Sequence, residues 1–550
     1  MGINETIIKY LSTNLPETEK DFSESLRKML RQEHDSSVSI PNKRELLKSY
    51  HKLVRANKVK KSVQLEKMLR RRAVRTLSGV TIITSLVKPY PCPGKCVYCP
   101  LDARMPKSYL SDEPAAARAL SLEFSPYDQM AKRIEALENN GHPTDKVELI
   151  IKGGTWNSYP LPYQYWFILK SFEAANRTSQ KKKTRATTLH ENSSIKKLRA
   201  ELLKQQKINE KSKHRIIGLT LETRPDSVNL RSVWQMREMG CTRIELGIQH
   251  THDAILKYIK RGHDNAKSKW ATEMLKNYGY KTDFHLMPQL PGATPETDLS
   301  MMIDVFTDPG FRPDMIKVYP CSVIKGSELY DWFKEGKYKA YPTEDLLDML
   351  KKFKPHVPRY CRISRLIRDI PGQYIENGNT VTNLRQVIQE QMKKEGTKCV
   401  CLRCREISHV DITNIKDLTP HLFIDEYATQ GGTEYFLSFE DKDRLVVFGF
   451  CRLRIVDKDI IAKKDKKLAP FPAYIRELHT YGQLVKIGTQ ETGHSQHTGL
   501  GKKLIKLAEK ITAEQGVNKL AVISGVGVRD YYRKSGYKLE NTYMVKRLKK

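Results

Sequence analysis

The sequence predicts an α/β protein in three parts: a basic helical N-terminal segment, a partial (β/α)6 TIM-like barrel, and a smaller C-terminal α/β unit. Three observations carry this. Between residues 79 and 320, runs rich in β-branched and apolar residues alternate with helical stretches, the pattern of a parallel sheet wound in one direction. The first 78 residues instead alternate apolar and basic residues at helical spacing. From about residue 421 the pattern changes to antiparallel-type strands and one strong amphipathic helix. A chain of 550 residues has room for about three structural units.

The N-terminal segment, residues 1–78, holds the helical runs RELLKSYHKLVRANK and LEKMLRRRAVRTL, and Lys52 to Arg75 contains ten Lys or Arg and a single acid, Glu66. Such an arm suits a phosphate backbone, with Lys58, Lys60, Lys61, Arg70, Arg71 and Arg72 as expected phosphate contacts; a solvated helix face explains it equally well. The barrel strands are expected at 79–87, 146–154, 215–222, 242–249, 281–290 and 315–320. Chemistry in such a barrel sits at the C-terminal strand ends, where Gly153, Gly154, Glu222, Arg224, Gln249 and Tyr319 fall. Residues 177–215 carry thirteen Lys or Arg, three acids and no aromatic residue, and are expected to be a flexible or helical basic insertion. Residues 321–420 read as a connector, and 421–550 as the C-terminal unit.

Formal net charge is +33, which favours a polyanionic partner. The longest near-apolar run, Gly79 to Val87, is far short of the roughly 20 residues of a membrane span, and the N-terminus lacks the basic region and cleavage site of a signal peptide. Six of the ten cysteines fall into two tight clusters, which reads as metal ligation in a reducing cytoplasm rather than a disulfide framework.

The first cluster, PYPCPGKCVYCP, spaces Cys92, Cys96 and Cys99 as C-x3-C-x2-C on the loop after the first barrel strand. Thiolates suit iron–sulfur clusters, and three of them leave one iron of a four-iron cubane open for a chelating substrate. The region resembles the radical S-adenosylmethionine (SAM) superfamily. That resemblance implies a [4Fe-4S] cluster whose open iron binds SAM, with Gly153, Gly154 and Thr155 at the turn that contacts its methionine part, and Glu222 and Gln249 as further cofactor contacts.

The C-terminal unit contains HSQHTGLGKKLIKLAEK, a Gly-rich turn between a strand and a helix. Glycines let backbone N–H groups cradle a pyrophosphate at a helix N-terminus. The order of elements resembles the GNAT acetyltransferase fold, which implies acetyl-CoA held by Gln496, His497, Thr498, Gly499, Leu500, Gly501 and Lys502. The acetyl carbonyl is then expected beside Leu478 and His479 on a splayed strand, and Tyr531 or Tyr532 near the thioester.

A radical SAM barrel joined to a GNAT unit resembles the catalytic subunit of Elongator, in its stand-alone archaeal type. The likeness covers nearly the whole chain, through KPYPCPGKCVYCP, GGTW, LTLETRPD, RIELGIQ, KRGH, FRPDMIKVYP, YIRELHTYG, QHTGLG and AVISGVGVRDYYRKSGY. It implies a tRNA-modifying acyltransferase that installs a carboxymethyl group at C5 of the wobble uridine. A SAM-derived radical takes hydrogen from the acetyl methyl group, the carbon radical adds to the base, and thioester hydrolysis releases the product. Lys152, Lys317 and Tyr319, placed toward the barrel mouth, are the expected catalytic contacts. Arg261 and His263 are weaker candidates.

The second cluster, Cys399-x-Cys401-x2-Cys404, suits a structural zinc ion, which takes four ligands; Cys321 is the expected fourth. Cys241, Cys361 and Cys451 read as ordinary residues. Lysine acetylation, the chief rival activity, needs no three-cysteine loop, and a non-enzymatic RNA-binding protein needs no Gly-rich turn. The sequence signals no obligate protein subunit and leaves monomer and homodimer both open.

Overall fold

The computed structural model describes residues 3–32, 41–70, 78–177, 187–412, 415, 417–462, 469–481 and 499–548. Helices α1 (Ile3–Thr13), α2 (Glu19–Gln32), α3 (Lys43–Arg55) and α4 (Val63–Leu69) close around Ile7, Ile8, Leu11, Phe22, Leu46, Tyr50 and Leu65, a small core of their own. Helix α3 starts on a capping box between Asn42 and Glu45.

The barrel sheet is wholly parallel and runs β1 (Thr81–Leu86), β2 (Lys146–Lys152), β3 (Arg215–Thr223), β4 (Arg243–Gln249), β5 (Lys281–Leu286), β6 (Met315–Val318), with β8 (Arg362–Arg365) beside β6. The sheet therefore has seven strands rather than the six expected, and the supposed connector contributes the last. A short pair, β7 (Val323–Ile324) and β9 (Ile375–Asn377), lies between.

The basic insertion takes the helical form over part of its length. Helix Ile195–Asn209 buries Leu198, Leu202, Gln206 and Asn209, and Asn209 donates to Asn176 and to the His214 carbonyl. Leucines four residues apart supply an apolar stripe that the charge count concealed. Residues 178–186 of the same region lie outside the described residues.

The C-terminal sheet contains β10 (His421–Thr429), β11 (Gly432–Glu440), β12 (Val447–Val456), β13 (Ala473–Thr480), β14 (Lys519–Val522), β15 (Lys538–Glu540) and β16 (Tyr543–Arg547). Their order is β10-β11-β12-β13-β14-β16-β15. Strands β13 and β14 are parallel and pair only at Tyr474↔Ala521 and Ile475↔Val522, after which β13 runs on through Leu478 and His479 paired to β12 and not to β14. One face of this sheet packs on helix Leu500–Glu514. On the other, Phe436, Phe450, Tyr474, Ile523 and Tyr543 join the barrel's own core.

The seam also holds buried charge. Asp314, just before β6, accepts from Arg476 at 2.7 and 2.5 Å. Glu434 accepts from Arg476 and Arg454, each at 2.9 Å, and Glu477 from Lys281 and Arg452, each at 2.9 Å. Gly525, past β14, lies so close to the Ile217 carbonyl of β3 that a Cβ would overlap it. At Gly527 a Cβ would stand 2.6 Å from the Arg215 side chain.

Candidate active site

Parallel strands place side chains alternately on the two sheet faces, and one barrel face is polar. Glu148, Ile150 and Lys152 on β2, Lys281, Asp283 and His285 on β5, and Met315, Lys317 and Tyr319 at β6 all line a cavity of about 750 Å³. The same cavity reaches Cys92, Cys96 and Cys99 at one end, and Glu477, Leu478, His479 and Tyr532 in the C-terminal module. The barrel mouth and the gap beside β13 are thus one space.

The three cysteines sit on the loop after β1, whose turn is closed by Cys99 N donating to Cys96 O at 3.2 Å. Cys96 is buried, with Cys92 and Cys99 partly exposed toward the cavity. Cys92 Sγ lies 3.5 Å from Thr155 Oγ1. Three soft donors lining the same end of the cavity suit the iron–sulfur cluster implied by the motif. The glycine turn after β2 is tightly built. Gly153 and Gly154 have φ of 132° and 86°, and a Cβ at Gly153 would overlap Val87, so only glycine serves there. Gln249 also has positive φ, 74°, and its buried Oε1 accepts no hydrogen bond.

Behind the wall lies Glu245, fully buried on β4. It accepts from Lys152, Lys317 and, at 2.9 Å, His285. Burial opposes its ionisation, yet the charges of Lys152 and Lys317 and the His285 hydrogen bond hold its carboxyl well below the usual range. The two lysines differ. Burial works against the Lys152 ammonium, but Glu222 and Glu245 outweigh it and raise its pKa. In Lys317, burial, reinforced by the Lys152 charge, wins and lowers it. His285 is lowered by burial, and its ring meets Tyr319 edge-on at 5.2 Å. Glu222 accepts from the Tyr109 hydroxyl at 2.9 Å and lies 3.4 Å from Lys152. Glu245, His285, Asp283 and Tyr109 escaped the sequence reading; the signal was a charged residue at the centre of a fully buried strand.

In the C-terminal module, Gly499 takes a left-handed conformation (φ 106°) and opens helix Leu500–Glu514 without any side-chain cap. Such an N-terminus can offer its first N–H groups to an anionic ligand. Lys502 and Lys503 are exposed on the first turn. Leu500 is buried in the module core, so only its backbone can serve a ligand. Gln496, His497 and Thr498 lie outside the described residues. Tyr532 is on the cavity wall, whereas the Tyr531 hydroxyl lies against the helix's first turn, 2.6 Å from where a Cβ of Gly501 would stand. His479 stacks on Phe450 at 5.9 Å and its buried Nε2 has no hydrogen-bond partner among the described residues. Gly499→Glu is expected to weaken acetyl-CoA binding at least about tenfold, ~1.4 kcal/mol, by setting a carboxylate against the pyrophosphate and straining a positive φ. Calorimetric titration with acetyl-CoA checks it.

Cys399, Cys401 and Cys404 bring their sulfurs within 4.8 Å of one another, three of the four ligands zinc takes. Cys321 does not join them, which corrects the expected fourth ligand. It is buried with Cys96, Val97, Leu256 and Leu329 under the first cysteine loop, and burial pushes its thiol up to about 12. In the N-terminal segment Lys58, Lys60 and Lys61 are exposed. Arg70 is instead tied to the Gly141 carbonyl at 2.9 Å, and Arg71 and Arg72 lie outside the described residues. Among the described residues no helix is long and apolar enough to cross a membrane.

Residues 90–302 match the family model of the radical SAM superfamily, and residues 313–394 that of the radical SAM C-terminal domain. The second match covers β8, in line with a barrel that extends past residue 320. A tRNA uridine(34) acetyltransferase of Methanocaldococcus infernus is 41% identical over 498 residues, covering 88% of each chain. A protein of the same name in Dehalococcoides mccartyi is 41% identical over 475 residues, 86% of this chain and 99% of the relative. Elongator complex protein 3 of Drosophila melanogaster is 36% identical over 491 residues, 87% of this chain and 85% of the relative. The solved structure of the archaeal Methanocaldococcus infernus Elp3 with an N-terminal deletion superposes with a TM-score of 0.71 at 37% identity, covering 86% of this chain and all of that one. A three-cysteine loop, a polar barrel and a splayed C-terminal sheet sharing one cavity agree with these matches: the chain belongs to the tRNA uridine(34) acetyltransferase and Elongator complex protein 3 family.

Proposed function

We propose that the chain modifies uridine 34 of tRNA in the cytoplasm, using SAM and acetyl-CoA to install a carboxymethyl group at C5. The observation that carries this reading is the single cavity running from Cys92, Cys96 and Cys99 to Leu478 and His479. Bound there, the cluster and SAM supply a hydrogen-abstracting radical, and acetyl-CoA the two-carbon unit. An acetyl methyl group can then be activated without leaving the protein.

The chain's own groups do the rest. Lys152, a firm ammonium, holds a carbonyl oxygen of the uracil or the thioester. Lys317, whose proton is more loosely held, carries a proton to or from the same ligand. Glu245 fixes both ammonium groups, and Tyr319 closes the wall beside His285. An unpaired anticodon base can be turned outward into such a pocket. Tyr532 and His479 flank the thioester, and the N–H groups after Gly499 hold the pyrophosphate. Cys399, Cys401 and Cys404 hold a structural zinc ion.

The test incubates anaerobically reconstituted protein with tRNA, SAM, acetyl-CoA and a reductant, followed by mass spectrometry of nucleosides. Carboxymethylated wobble uridine that needs all four supports the reading; acetyl-lysine on added protein, with unmodified tRNA, overturns it. Lys58, Lys60 and Lys61 are the phosphate contacts of the N-terminal helices. Replacing all three with glutamate is expected to weaken tRNA binding and to reduce the slope of log affinity against log salt by up to about 3. Binding isotherms at several salt concentrations check this.

A further inference from the structure

Two buried guanidinium groups meet at the middle cysteine of the loop. Arg224, following β3, places Nη1 3.5 Å from Cys96 Sγ, and Arg261 places its own Nη1 3.4 Å from the same sulfur. Both arginines are buried and firmly held. Arg224 donates to Asp226 through Nε at 2.9 Å and Nη2 at 2.8 Å, and to the carbonyl of Arg261. Arg261 donates to the carbonyl of Gly247 at 2.6 Å.

The room for them is made by glycines. A Cβ at Gly94 would overlap Arg224 Nη1, and one at Gly247 would stand 2.6 Å from Arg261 Nη2. Gly94 does not have positive φ. Clearance for the guanidinium, rather than backbone conformation, accounts for a glycine between Cys92 and Cys96.

We infer that Arg224, with Arg261 beside it, is a positioning residue that raises the reduction potential of the iron–sulfur cluster by donating hydrogen bonds and positive charge to the Cys96 sulfur. This rests on reading the loop as the cluster's site. Adding one electron to a cluster held by thiolates increases its negative charge. A buried cation with N–H groups aimed at a ligand sulfur stabilises that reduced form more than the oxidised one. Asp226 moderates the charge and locks the side chain's direction.

The experiment is a redox titration of the reconstituted full-length protein, with mediators and dithionite, without SAM or tRNA. Electron paramagnetic resonance follows the reduced cluster, and iron is assayed in every sample. Arg224→Gln is expected to lower the reduction equilibrium constant about tenfold, a midpoint about 59 mV more negative. Arg224→Lys, which keeps charge but loses the fork, is expected to fall between. Gly94→Ala, which pushes the guanidinium off the sulfur while retaining it in the chain, is expected to shift the same way. Should Arg224→Gln fail to hold iron, the other two variants decide. An unchanged midpoint in iron-replete Arg224→Lys and Gly94→Ala overturns the inference. Wild-type protein that assembles no four-iron cluster overturns the reading of the loop itself, a result distinct from an arginine that leaves an intact cluster unaltered.

Discussion

Cys96→Ser is expected to abolish SAM cleavage while leaving acetyl-CoA affinity unchanged. A serine hydroxyl is a hard, protonated donor and replaces a thiolate poorly on iron, so a three-sulfur site falls to two. The fold is expected to survive. A hydroxyl at this position still accepts from Arg224 and Arg261, which stand 3.5 and 3.4 Å from the sulfur, so neither cation is stranded. The acetyl-CoA turn lies on a separate helix, Leu500–Glu514, with its own core. Release of 5′-deoxyadenosine, followed by chromatography, and calorimetric titration with acetyl-CoA read the two sites separately. Parallel loss of both would make the loop a structural element and refute the division of labour.

Asp314→Ala is expected to destabilise the protein by about 3–5 kcal/mol, the cost of removing one partner of a buried ion pair. Asp314 is fully buried and accepts both Arg476 bonds and the Thr282 N–H at 2.9 Å. Its loss leaves Arg476 and Arg452 with fewer anions at the seam between modules. Asp314→Asn, which retains acceptors but not charge, is expected to cost less. Thermal unfolding of the two variants under one buffer checks the order. The same seam predicts an acid dependence. Burial opposes ionisation of Glu477, but Lys281 and Arg452 outweigh it and hold its carboxyl at about 2, below an unfolded value of about 4.3. A depressed carboxylate contributes stability that is complete above the unfolded pKa and is lost as pH falls through the folded one. Stability is therefore expected to decline from about pH 4 toward pH 2, and Glu477→Gln to flatten that decline. A flat wild-type profile in that window would contradict the assignment.

Much of this architecture was legible in the chain. The six apolar runs became β1 to β6 because fully buried parallel strands read as near-continuous hydrophobic stretches. The cysteine motif marked one end of the cavity because its chemistry needs short, fixed spacings. Strand β8 was not legible: its four residues, Arg362–Arg365, include two arginines, and it is held by pairing to β6 and by Arg362 donating to Glu406 at 2.6 Å. Nor was Glu245. It reads as one acid in the apolar run RIELGIQ, and only the assembled barrel brings Lys152, Lys317 and His285 around it. Cys321 misled because its place just after the sixth strand says nothing about which side of the sheet the thiol faces.

At Gly525 the C-terminal module meets the main chain of Ile217 with no side chain between them, and Gly527 sits as tightly against Arg215. The spacing between the two reactive ends of the enzyme is thereby set by covalent geometry and not by rotamer choice. Grafting a C-terminal unit from a relative onto this barrel would seat flush only if the donor brought the same bare pair. A single methyl at Gly525 would act as a shim, tilting one half and widening the passage through which the two-carbon fragment must reach.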